Sequence, residues 1–111
     1  MKVKELCELL GWELAYGNGD RQISGGIYCG DLLSLAIGRA PADGLWITVM
    51  GNVNAMAVAS IADPACVVIA ENMPFDEETK AGAEKGGITV ARTDKPVFEA
   101  AMEAAKMLKL I

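Results

Sequence analysis

The sequence predicts an α/β fold, a three-layer single domain over residues 1–111 with a mostly parallel sheet. Three observations carry that expectation. Leu45–Met50, Ala65–Ala70 and Ile88–Ala91 are short, nearly continuous apolar runs, the pattern of strands covered on both faces. From residue 45 these runs alternate with helical segments, and a β-α-β-α-β-α order implies parallel strands joined by right-handed crossovers. A length of 111 residues, finally, suits one hydrophobic core.

The first element is a helix over residues 3–10, because Val3, Leu6, Cys7 and Leu10 recur with helical spacing and Gly11 follows as a terminator. Trp12–Tyr16 reads as a short strand, followed by the turn Gly17-Asn18-Gly19-Asp20. A second strand is expected over Ile23–Cys29, where the Gly25-Gly26 pair marks a bulge or a close backbone approach. Asp31 precedes the apolar run Leu32, Leu33, Leu35, Ala36 and Ile37, the position of an N-cap for a helix ending near Gly38. After the Pro41–Gly44 turn and the Leu45–Met50 strand, Gly51-Asn52-Val53-Asn54 breaks the chain before a helix at Ala55–Ala62. That helix has no polar residue except Ser60, follows an Asn cap, and ends at Asp63-Pro64. Pro74–Gly86 is a polar helix with Asp76, Glu77 and Glu78 in its first turn, where the helix dipole favours negative charge. The last helix opens at Thr93-Asp94-Lys95-Pro96 and keeps Val97, Phe98, Ala101, Met102, Ala105 and Leu108 on one side.

Composition excludes several function classes. The net charge is −5 and there is no basic run, which argues against nucleic-acid binding. No apolar stretch reaches the roughly 18–20 residues that span a bilayer, and the first ten residues lack the pattern of a signal peptide; no membrane association and a cytoplasmic location are expected. Cys7, Cys29 and Cys66 are odd in number and widely spaced, so they are expected to be core thiols. The chain has no histidine, which removes Ser-His and Cys-His nucleophile pairs and the usual zinc sites. Gly17 and Gly19 begin a dinucleotide-loop pattern that fails at Gln22, and Gly82 and Gly87 have phosphate-loop spacing with Ile88 where lysine is required. No catalytic residue, metal ligand or cofactor is therefore expected.

The turn after the first apolar strand is the best candidate site. Ligands of parallel α/β sheets settle at the carboxyl ends of strands, where glycine allows close approach and a helix N-terminus offers amides to an anion. The candidate ligand-binding residues are Thr48, Gly51, Asn52 and Asn54, with Asp31 at the head of the preceding helix. Glu71-Asn72 and Arg92-Thr93-Asp94 fall at the neighbouring strand ends. The competing reading is that the asparagines only cap the helix.

Two stretches, Ile23-Ser24-Gly25-Gly26-Ile27-Tyr28-Cys29-Gly30-Asp31-Leu32-Leu33-Ser34 and Trp46–Ala59, make the sequence resemble the DRTGG domain family, in its stand-alone members, over nearly the whole chain. The chain has Gly51-Asn52 where several relatives carry Asp-Arg, and its own Asp20-Arg21 lies in an earlier turn. The resemblance implies a fold like the N-terminal domain of HPr kinase, which carries no phosphate loop. It also implies a regulatory or dimer-forming role, since such domains occur beside phosphotransacetylases and between CBS domains of some pyrophosphatases.

Together these readings predict a non-enzymatic regulatory or assembly module that takes a small anionic metabolite or nucleotide. The alternative is a protein-interaction subunit without ligand; a Cys- or Lys-dependent enzyme ranks below both. A homodimer is expected because the apolar 53–62 helix would otherwise leave Met56 and Ala59 in water.

Overall fold

The computed structural model describes residues 1–111. Five helices and five strands follow one another as α1 Val3–Leu10, β1 Glu13–Tyr16, β2 Ile27–Cys29, α2 Leu33–Arg39, β3 Leu45–Thr48, α3 Val53–Ala62, β4 Cys66–Ile69, α4 Glu77–Gly86, β5 Val90–Arg92 and α5 Val97–Met107. The sheet order is β1-β5-β4-β3-β2. Strands β2 to β5 are mutually parallel, and β1 closes the far edge antiparallel to β5.

This order explains the layers. From β2 to β5 each strand lies next to its predecessor and the winding always moves the same way across the sheet. Right-handed crossovers that never reverse direction put every connecting helix on one face. Accordingly α2, α3 and α4 share a core with Trp46, Val67, Ile69 and Val90. The opposite face carries α1 and α5, packed on Leu45, Ile47, Cys66, Val68 and Ala91. Alternate residues of β3 and β4 thus feed two different cores, which is why these strands read as unbroken apolar runs.

Helix ends follow local chemistry. Glu5 accepts the Lys2 amide at 2.9 Å and starts α1, which Gly11 closes at φ 70°. Asn52 caps α3, Asp76 caps α4, and Asp63 at φ 60° and Gly87 at φ 67° end them. Helix α3 begins two residues earlier than predicted because Asn52, not Asn54, is the cap; α4 begins later because Asp76 lies outside it as a cap.

Other expectations are corrected. Only Ile27–Cys29 of the 23–29 segment forms a strand, since the amides of Ser24 and Gly25 turn to the Asp43 carbonyl instead of a neighbouring strand. The close approach predicted for the glycine pair holds at Gly25, where a Cβ would stand 2.5 Å from the Ala42 carbonyl. Helix α5 buries Ala100 and Ala104 with Val97, Ala101 and Leu108 beside them, whereas Phe98 is 73% exposed. Its buried stripe is turned so that alanines, not Phe98, meet the sheet. Cys7 and Cys66 are core thiols, but Cys29 is exposed at the end of β2. Met56 and Ala59 are fully covered within the chain, because α3 lies between α2 and α4.

Candidate functional site at the carboxyl edge of the sheet

Four parallel strands end on one edge, at Cys29, Thr48, Ile69 and Arg92. The turns leaving them form a polar crest. One part of it ties the end of β2 to the end of β3. The Trp46 indole donates to the Gly30 carbonyl at 2.9 Å, which pins the turn and sends Asp31 across to the neighbouring strand. Asp31 Oδ1 there accepts the Thr48 hydroxyl at 2.8 Å and the Val49 amide at 3.0 Å, and Thr48 Oγ1 accepts the Met50 amide at 3.1 Å. Asp31 is therefore not the cap of α2: Leu32 holds that position and makes no side-chain bond. Asp31 lies one residue before the cap of α2, and its carboxylate is committed to the two donors at the end of β3.

The turn into α3 has a different economy of hydrogen bonds. Asn52 takes the Ala55 amide through its side chain at 2.8 Å and the Met56 amide through its carbonyl at 3.3 Å. Of the four orphan amides at this helix start only that of Ala55 is capped; those of Asn52, Val53 and Asn54 have no partner in the chain, and Val53 and Asn54 are exposed. Gly51 serves close packing. A Cβ there would lie 2.6 Å from the Pro74 carbonyl, and the Gly51 carbonyl accepts the Thr79 hydroxyl at 3.0 Å.

Of the sequence-predicted site residues, the structure joins Asp31 and Thr48 directly, places Asn52 as the cap and Asn54 in the first turn of α3, and puts Gly51 against the lead-in to α4. Sequence reasoning missed the Val49 and Met50 amides, since a backbone donor leaves no mark on residue type. It also missed Trp46, whose apolar surroundings read only as core, and Thr79, which looked like part of a solvated helix.

The neighbouring strand ends are self-contained. Glu71 and Asn72 both adopt left-handed φ, 60° and 55°, and their amides donate to the carbonyls of Lys95 and Thr93. Arg92 donates to the Met73 carbonyl at 3.0 and 2.8 Å and reaches Glu13 at 3.4 Å. It lines a cleft of about 210 Å³ whose other charges are Glu13 and Asp94. With its cation engaged and two carboxylates beside it, this cleft does not favour an anion.

Nucleophile chemistry lacks support at any thiol. Burial pushes Cys7 up to about 11 and Cys66 well above the ordinary thiol range. Cys29 is also raised, by partial burial first and by the Asp31 charge second. A catalytic cysteine needs the opposite shift. No group of three or more Cys, Asp or Glu side chains comes together as a metal site would require, and no helix is long and apolar enough to cross a membrane.

No family model and no curated protein matches the chain. Among solved structures it is similar to the CBS and DRTGG domains of the regulatory region of Clostridium perfringens pyrophosphatase, complexed with the activator diadenosine tetraphosphate. The TM-score is 0.77 at 15% identity, over 93% of this chain and 45% of that one. The chain shares its α/β fold with part of that structure. It spans less than half of the regulatory region it matches, and a shared fold by itself says nothing of what the crest holds.

Proposed function

We propose that the chain is a non-catalytic regulatory module that binds a small anionic metabolite or nucleotide at the crest around Thr48, Gly51, Asn52 and Asn54, with Asp31 fixing the shape of the β3 end. The unpartnered Val53 and Asn54 amides at the start of α3 carry this reading, because two exposed donors on the positive end of a helix suit an anion. The similar solved structure is a regulatory region with a bound nucleotide activator, which supports the same class of role.

A thermal-shift series with nucleotides and phosphometabolites tests it. A ligand at 100 times its Kd adds about 2.7 kcal/mol of stability. Val53→Pro is the deciding variant. Proline is well placed at the first helical position, and Asn52 before it is already extended at φ −131° and ψ 170°. The substitution deletes one amide donor, so the fold should persist while the ligand shift shrinks. Absence of a shift with every anion sinks the ligand reading and leaves the protein-interaction subunit.

Self-association belongs to the same proposal. Leu32 at the cap of α2 is 61% exposed, Leu35 on α2 46% and Ile61 on the neighbouring α3 68%. Two copies of such a patch are self-complementary in a two-fold dimer. Sedimentation at micromolar concentration reads the result directly. A mass near the 11.7 kDa of one chain, unchanged on concentration, overturns the dimer.

A further inference from the structure

The layer formed by α2, α3 and α4 contains a groove on its outer side, distinct from the crest except at Val53. Helices α3 and α4 run in the same direction, since both cross over between parallel strands, and α4 places glycine where α3 comes nearest. A Cβ on Gly82 would lie 3.5 Å from Cβ of Met56, and one on Gly86 would lie 3.3 Å from Cβ of Ser60. An open trough of about 510 Å³ runs along this glycine-lined contact. Small-molecule sites run from roughly 300 to 1,000 Å³.

The lining has one chemical theme. Val53 and Ala57 supply the exposed apolar surface from α3, with Met56 almost fully covered beneath them, while the glycines present bare α4 backbone. The Ser60 hydroxyl is turned to its own helix, donating to the Ala57 carbonyl at 2.6 Å. Lys85 is the one charged side chain at the trough, and it belongs to no ion pair. On a chain of net charge −5, this is a local positive point on an apolar cleft. A second copy of the chain suits it poorly, because a two-fold contact would bring Lys85 towards its own equivalent with no carboxylate in the lining to pair it.

We infer that the α3–α4 groove binds a small aromatic monoanion, with its rings in the trough against Val53, Ala57 and the glycine backbone and its carboxylate or sulfonate on Lys85. This site shares only Val53 with the crest and stands or falls independently of the anion proposed there.

The probe is 8-anilinonaphthalene-1-sulfonate, titrated into nitrogen-15-labelled protein and followed by amide shifts. Saturable one-to-one changes at Ala57, Ser60, Gly82 and Gly86 are expected. Lys85→Gln should weaken the sulfonate about fivefold, the scale of one exposed charge pair, and leave the uncharged N-phenyl-1-naphthylamine unaffected. Gly82→Leu fills the trough and should abolish both. Should Gly82→Leu fail to fold, Gly82→Ala serves instead: its Cβ makes an ordinary contact, alanine favours the helix, and both probes should still weaken. Shifts confined to other surfaces such as Phe98 and Leu110, or binding indifferent to both positions, overturn the inference. Conversion of a dimer to a monomer by Gly82→Leu also overturns it, by showing that a second copy is the occupant.

Discussion

A single carboxylate holds the end of β3, since Asp31 receives the Thr48 hydroxyl and the Val49 amide on the same oxygen. Thr48 is fully buried, so an unpaired hydroxyl there would carry its full desolvation cost. Asp31→Ala is expected to destabilise the protein by about 1–3 kcal/mol, whereas Asp31→Asn keeps an acceptor oxygen and should lose less than half of that. Urea midpoints of the two variants check the order; equal losses would mean that charge, not hydrogen bonding, matters at this turn. Cys29 offers a second test at this scale. It is the exposed thiol, and its pKa is raised from the ordinary 9.0 by partial burial and by Asp31. One thiol per chain should react with a disulfide reagent under native conditions, and the rate should still be climbing at pH 9. A fast, pH-independent reaction at neutrality would instead indicate an activated thiolate.

Helix α3 shows how an element with no polar stripe is positioned. Its residues are apolar almost all round, so amphipathicity cannot orient it. Small side chains do so instead: Ala55 and Ala59 meet the sheet at 0% exposure, while Ala57 faces the outer groove. The prediction is asymmetric. Ala59→Leu overpacks the sheet contact and should cost about 1–3 kcal/mol. Ala57→Leu should stay within about 0.5 kcal/mol, the scale of surface substitutions. Thermal melts of the pair decide, and equal losses would place both alanines in the core. The sequence shows that α3 is buried but gives no reason to prefer Ala59 over Ala57, because both are alanine and only the neighbouring helices distinguish them.

At the scale of the whole molecule, an ionic clasp closes the edge opposite the crest. Arg21 donates to Asp43 at 2.9 and 2.6 Å and to Asp63 at 2.8 Å, joining the segment before β2 to the turns before β3 and after α3. The hydrogen bond from Arg21 holds the Asp63 carboxyl below its ordinary value, as Lys4 does for Asp20 and the Thr79 hydroxyl and amide do for Asp76. Each of these groups binds its proton less tightly folded than unfolded, so acidification favours the unfolded chain. Their contribution is complete above the ordinary value of 3.8 and is lost as pH falls through the lowered folded values. Urea midpoints should therefore change little between about pH 7 and 5 and drop below about pH 4, with a shallower drop in Arg21→Met. An acid slope identical in Arg21→Met would remove the clasp from the account. The sequence by itself determined the elements whose signals are local: the unbroken apolar strands, the β-α-β-α-β-α order, and the stops at Gly11 and Asp63. It also marked the turn after Thr48, because glycine and asparagine report backbone needs at their own positions. Only the tertiary structure decided the strand order, the antiparallel edge at β1, the exposure of Phe98 and Cys29, and the turning of Asp31 from its own helix to β3. Each of those depends on which segments meet across the sheet, and a partner tens of residues away leaves no periodic trace in the residues it meets.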